Sequence, residues 1–234
     1  MLLTGLLRSY NEEAYMGMCL ECLFEFCDEV VISDGGSTDR TKKIATSFDK
    51  VTWLDYPGGS VSDQGHWNHT ANQLNFALPH CHGEWIILQD VDQVYCERAK
   101  KHLREELEVS PHDAYVMYCI HYLGDTNHYI KEAGVGPSMV RLWRNGLDRR
   151  FTGMVHSSHL SYLKWNSLAT FQGARFHYGN ISTEVAMRKA MERSAAMPED
   201  PVYRRVIAHH PRTPAPIPWE RCDPDCERCW MEDV

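Results

Sequence analysis

The 234-residue chain contains no apolar stretch approaching the ~20 residues needed to cross a bilayer, which predicts no transmembrane segment. It also lacks a basic surplus, because 24 lysines and arginines against 32 acids leave a net charge of −8. That balance argues against nucleic acid as the partner of any broad face. Met1 to Leu7 has no basic n-region and runs directly into Arg8 and Asn11-Glu12-Glu13, so it predicts a first strand rather than a signal peptide, and a cytoplasmic protein. Internal repeats and low-complexity arrays are missing, and 234 residues suit one sizeable core. Nine cysteines are an odd number, mostly scattered singly among apolar residues, which suits reduced thiols better than a disulfide framework.

What is present is organised around Gly83-Glu84-Trp85-Ile86-Ile87-Leu88-Gln89-Asp90-Val91-Asp92. The apolar run is too short for a helix and too continuous for a half-exposed strand, so it predicts a strand buried on both faces, as in a parallel sheet. Ligands of open α/β sheets collect beyond the carboxyl ends of the strands, where Asp90 and Asp92 fall. Two carboxylates held there repel one another unless a hard cation such as Mg²⁺ or Mn²⁺ joins them. Taken alone, the pair reads equally as a strand end capped by solvated acids.

The surrounding pattern predicts a strand at Leu2–Leu7, a polar loop from Arg8 and an amphipathic helix with Met16, Cys19, Leu20, Leu23, Phe24 and Cys27 on one stripe. A second strand, Val30–Ile32, leads into Asp34-Gly35-Gly36-Ser37-Thr38-Asp39 and a helix through Phe48, followed by a third strand from Val51 to Tyr56. A helical spacing from Asp63 to Leu78 precedes the organising strand. Strand and helix in alternation with short links make a right-handed, mostly parallel α/β sheet. Beyond it the sequence predicts a helix at Glu97–Val109, β segments at Ala114–Leu123, Ser138–Trp143 and Leu168–His177, and a helix from Ser182 to Met197. A proline-rich tail follows.

Several blocks in order resemble glycosyltransferase family 2, whose fold is GT-A: Arg8-Ser9-Tyr10-Asn11-Glu12-Glu13, Ser33-Asp34-Gly35-Gly36-Ser37-Thr38-Asp39, Asn75-Phe76-Ala77-Leu78 and Asp90-Val91-Asp92. Arg141-Leu142-Trp143-Arg144 and Phe151-Thr152-Gly153-Met154-Val155-His156 are similar to the branch that includes lipopolysaccharide-core glucosyltransferases. The resemblance implies a Rossmann-like, mostly parallel sheet with helices on both faces and a smaller mixed acceptor-side region. It divides the chain into a GT-A domain over 1–197, with a nucleotide-sugar half at 1–95 and an acceptor half at 96–197, and a Pro/Cys-rich tail at 198–234.

The activity so implied is metal-dependent transfer of a sugar from a nucleoside diphosphate donor, usually uridine-linked, to an acceptor hydroxyl with inversion. By the same resemblance Tyr10 stacks on the base, Arg8 lines it and Asp34 accepts from the ring N–H, with Asn11 and Asn75 in the nucleotide site. Asp90 contacts ribose or metal, Asp92 holds Mn²⁺ or Mg²⁺, and His156 is a further metal or phosphate contact. Read from the residues alone, Tyr10 can also be a loop aromatic, Asp34 a turn acid and His156 a structural histidine.

The chain departs from the family at Leu74, where a basic residue is common, and at Ser157, where a glutamate is common. Arg141, Arg144, Arg149 and Arg150 are then candidates for the diphosphate, or a solvated face. The family's Glu-Asp pair after the second acid is not evident, which leaves Glu132 and Asp125, in the loop after Leu123, as candidates for the general base. His66, His69, His80 and His82 read as surface and packing residues, while His177-Tyr178-Gly179 approaches the acceptor side. Cys222, Cys226 and Cys229 have spacing suited to a small zinc site or to an exposed reduced tail. The acceptor is a saccharide, a lipid-linked saccharide or a protein. A non-catalytic nucleotide-sugar or glycan-binding module on the same fold is the alternative suggested by Leu74, Ser157 and the missing base.

Overall fold

The structure is a computed structural model and describes residues 1–58, 70–123, 125–129, 140–147, 149–152, 159–160, 167–179 and 215–216. Its first half alternates strand and helix: β1 (Leu3–Ser9), α1 (Met16–Leu23), β2 (Glu29–Asp34), α2 (Thr41–Ala45), β3 (Val51–Asp55), α3 (Thr70–Ala77) and β4 (Trp85–Asp90). The second half continues with β5 (Gln93–Tyr95), α4 (Glu97–Val109), β6 (Ala114–Leu123), β7 (Asp125–Tyr129), β8 (Val140–Arg144), β9 (Phe151–Thr152), β10 (His159–Leu160), β11 (Leu168–His177) and β12 (Ala215–Pro216).

Strands β3, β2, β1 and β4 lie side by side in that order, all parallel. The chain therefore leaves β1 in both directions, and a switch point of this kind opens a crevice beyond the carboxyl end of the central strand. β8 and then β6 extend the sheet beyond β4, each antiparallel to its neighbour, and β11 runs parallel to β6 while pairing antiparallel with β5. Among the described residues the result is a ten-stranded mixed sheet, with β9 and β10 pairing separately.

Alternation along the strands builds two cores. Leu3 and Leu7 of β1, Val30 and Ile32 of β2, and Trp85 and Ile87 of β4 pack with Met16, Leu20 and Leu23 of α1 and with Leu103 and Leu107 of α4. Leu6, Val31, Ile86 and Leu88 point the other way onto Ala71, Leu74 and Ala77 of α3. Burying each large aliphatic side chain contributes about 1.5–3 kcal/mol, and both faces of β4 collect this gain, as its unbroken apolar run predicts.

Three differences from the expected elements have physical causes. Arg8 and Ser9 belong to β1 rather than to a loop, because β1 is central and has partners on both sides as far as Arg8, with Ser9 still paired to Asp34. α2 stops at Ala45, and the segment to Phe48 closes in looser turns. Asp125 opens a strand rather than a loop, since β7 folds back on the edge of β6 and β12 from the tail pairs in turn with β7. The helix expected from Ser182 and residues 63–69 of the helix before β4 lie outside the described residues. Among the described residues no helix is long and apolar enough to cross a membrane.

Candidate active site at the carboxyl edge of the sheet

The loops after β1 and β2 are joined by a dense set of local bonds. Asp34, 3% exposed, accepts four: from the hydroxyls of Ser9 (2.8 Å) and Ser37 (2.6 Å) through Oδ1, and from the backbone N–H of Gly36 (3.0 Å) and Ser37 (2.7 Å) through Oδ2. Gly36 stands at φ 94°, where a side chain would be strained. Asn11 accepts from the Thr38 N–H at 2.8 Å and donates its own N–H to Ser37 Oγ at 2.8 Å. Asp39 receives Thr41 N–H and Glu13 N–H, and although burial works against its charge these bonds lower its pKa. From below, the buried Gln73 amide of α3 donates to the Ser9 and Ser33 carbonyls. These contacts make the Asp34 and Asn11 side chains organisers of a rigid rim. Tyr10 sits half-buried within it.

Two strands away, at the same edge, Arg8 is the register partner of Asp90, and Ser9 that of Asp34. At a neighbour spacing of about 4.8 Å this separates the β2 and β4 tips by about 10 Å. Arg141 of β8, 8% exposed, places Nη2 3.1 Å from Asp90 Oδ2, and Arg8 lies 4.0 Å from Oδ1. Burial opposes ionisation of Asp90, but Arg141 and then Arg8 outweigh it and hold the carboxyl down to about 2. Gln93 adds a hydrogen bond to Oδ2 at 2.9 Å. Asp90 is thus a fixed anion with its charge already balanced by protein.

Asp92 has different company. It is 9% exposed, and His177 Nε2 from the end of β11 lies 3.3 Å from its Oδ2. The other nitrogen of His177 meets His121 Nδ1 at 3.0 Å. His121 is held neutral, its pKa pushed down to about 3 by burial first and by His177 second. The Nδ1–Nδ1 contact can run either way: when His121 supplies its N–H, His177 Nε2–H donates to Asp92 Oδ2, and with the tautomers reversed His177 Nε2 would be open to a cation. A Cβ on Gly179 would stand 2.4 Å from Asp92 Oδ2, so only glycine leaves the carboxylate its place.

Asp92 and His177 could together contribute one oxygen and one nitrogen donor to a Mn²⁺ ion, a set less suited to the harder, oxygen-seeking Mg²⁺. Among the described residues no group of three or more potential ligands gathers. Asp90, occupied by two arginines and an amide, is less suited to that duty.

Other expected site residues are placed elsewhere. Both ends of the Asn75 amide are committed to the Phe151 backbone, at 2.9 and 2.8 Å, clamping β9 onto α3. Arg144 stacks on Trp85 with 4.5 Å to the ring centroid and donates to the Ser110 and His112 carbonyls, a structural role. Arg149 and Arg150 line a cavity of ≈ 390 Å³ with Asn75, Trp143 and Asn145, behind α3. His80 and His82 are exposed, His82 facing Glu29 at 3.2 Å. Glu132, His156, Cys222, Cys226 and Cys229 lie outside the described residues, and of Asp125 only the backbone is described.

His177, expected on the acceptor side, meets Asp92, while Arg175 and His121 carried no expectation. The signal available was Arg175 and His177 two apart in a strand otherwise apolar around them, which puts both on one face.

A parallel switch-point sheet with an ordered rim, a balanced acid and an acid–histidine pair beyond its carboxyl ends defines an α/β protein of the GT-A type. The fold is shared with S. aureus TarS 1-349 at a TM-score of 0.55 and 17% identity, covering 89% of this chain and 70% of that one. The chain belongs to glycosyltransferase family 2, the model of Glycosyl transferase family 2 matching residues 7–197. It is similar to the lipopolysaccharide core biosynthesis glycosyltransferase LpsC of Rhizobium meliloti, 39% identical over 105 residues, 45% of this chain and 35% of that protein. It is also 27% identical over 197 residues to an uncharacterized glycosyltransferase of Rickettsia bellii, 77% of this chain and 60% of that one. The chain therefore spans about a third to three fifths of the length of these relatives.

Proposed function

We propose that this chain transfers a sugar from a uridine diphosphate donor to an acceptor hydroxyl with inversion, assisted by Mn²⁺ or Mg²⁺. The observation that carries the reading is the division of labour at the carboxyl edge, with Asp90 neutralised by arginines and Asp92 paired with His177. TarS, which shares the fold, has been crystallised with UDP and with UDP-GlcNAc, and this supports a uridine donor.

In this reading the uracil enters beside the rim held by Asp34. The Ser9 and Ser37 hydroxyls are rotors, and either can turn away to let the ring N–H take its place on Asp34. Tyr10 offers an aromatic face in the same loop. Asp90 presents Oδ1 to a ribose hydroxyl, an acceptor kept ionised by Arg141 and Arg8. Asp92 and His177 would hold the cation, which supplies charge neutralisation for the departing diphosphate. The proton of the acceptor hydroxyl goes to a carboxylate, assigned on sequence to Glu132 with Asp125 second.

The acceptor is a saccharide, lipid-linked or protein hydroxyl. Among the described residues six cysteines are free and buried, which supports a reducing compartment and the cytoplasmic location expected from the sequence. Incubation with a panel of nucleotide sugars, with and without Mn²⁺, tests the reading. Release of UDP from one donor, dependent on the cation, is expected; thermal stabilisation by every donor without turnover would indicate a binding module instead.

A further inference from the structure

We propose that Gln93 is a positioning residue for Asp90, its amide set by the buried Arg175, so that β11 controls both acids of the motif. The proposal rests on the donor reading above.

An amide has one accepting end and one donating end, whereas a guanidinium only donates. Arg175, 1% exposed, places Nη1 2.6 Å from Gln93 Oε1 and so claims the accepting end. The Nε2 end is left for Asp90 Oδ2, at 2.9 Å. Flipping the amide would oppose NH₂ to guanidinium and oxygen to carboxylate, two repulsions in a site where Gln93 itself is 3% exposed. The backbone of Gln93 is held as well, since the Gln89 side chain donates to its carbonyl and His177 is its register partner across β5 and β11. Residues two apart on β11 therefore serve the two acids separately: His177 meets Asp92 directly, and Arg175 reaches Asp90 through Gln93.

The consequence is directional. Arg141 and Gln93 together occupy Oδ2, and Oδ1 is turned to the side where Arg8 stands 4.0 Å away. Asp90 thereby offers the donor one oriented oxygen rather than a carboxylate free to rotate.

Gln93→Glu separates this role from a packing role. It keeps the shape and gives Arg175 a carboxylate to pair with, while setting an oxygen where Asp90 now receives a hydrogen. Binding of UDP is measured by calorimetry with Mn²⁺ for the wild type, Gln93→Glu and Gln93→Met, beside thermal unfolding of each. The proposal expects Gln93→Glu to melt close to the wild type and bind UDP roughly ten- to a hundredfold more weakly, the loss of one charge-assisted bond. Gln93→Met should show the same weakening with a lower melting temperature. Wild type that binds UDP beside folded variants that bind it within twofold would overturn the positioning role alone. Wild type that binds no UDP would overturn the donor reading and this proposal with it.

Discussion

Removing Arg141 provides a quantitative test of how the first acid is held. Arg141 and Asp90 are 3.1 Å apart, with side chains 10% and 27% exposed, between the fully buried and the surface case. A surface pair contributes at most about 1 kcal/mol, and breaking a fully buried one costs about 3–5 kcal/mol. The Asp90 carboxyl is lowered from 3.8 to about 2, against burial and chiefly through Arg141, which corresponds to about 2 kcal/mol at pH 7.

A double-mutant cycle of Arg141→Met and Asp90→Asn, followed by urea unfolding, should therefore give a coupling of about 2 kcal/mol at pH 7. Because the folded carboxyl titrates below the unfolded one, the contribution is complete above about pH 4 and is lost as pH falls toward 2. By pH 3 the coupling should have dropped to about half. A coupling below about 0.5 kcal/mol at pH 7, or one equal at both pH values, would refute the view that Arg141 holds Asp90 ionised.

Asp92→Ala and His177→Ala should each abolish cation-dependent release of UDP while leaving the far-ultraviolet circular dichroism unchanged; full turnover in either removes that residue from the cation site. Gly179→Ala should weaken Mn²⁺ binding about tenfold with a melting point within a few degrees of wild type, because its methyl falls 2.4 Å from Asp92 Oδ2; calorimetry that finds unchanged affinity would show the carboxylate free to move. Asp34→Ala removes the acceptor of four bonds and should cost about 2–4 kcal/mol of stability as well as UDP affinity, and chemical unfolding that shows less than about 1 kcal/mol would count against a rim built on this acid. Glu132→Gln should lower the transfer rate at least a hundredfold with donor KM unchanged, and a variant of undiminished rate eliminates Glu132 as the base.

The parallel half of the fold was legible because its signals are local. The period of α1, the unbroken Trp85–Leu88 run and the glycines after Asp34 each follow from a few adjacent residues. The acids at Asp90 and Asp92 were legible for the same reason, as a strand ending where such sheets bind ligands. What each acid pairs with was not legible, because its partners arrive from far along the chain. Arg141 comes from an antiparallel strand added beyond β4, Arg175 reaches Gln93 across 82 positions, and His177 lies on the same strand as Arg175. Asn75 shows the opposite case: a residue inside a recognisable block whose amide the fold uses to hold Phe151. Arg144 is similar, its charge spent on Trp85 and two carbonyls.

The central claim is that a uridine nucleotide and a divalent cation meet at the carboxyl edge, the cation on Asp92 and His177. Crystals grown with UDP and Mn²⁺ and measured at the manganese absorption edge address it most directly. The account predicts one anomalous peak within bonding distance of the Asp92 carboxylate and His177 Nε2, with the uracil against the Asp34 rim. A bound nucleotide whose manganese lies away from both residues would contradict it.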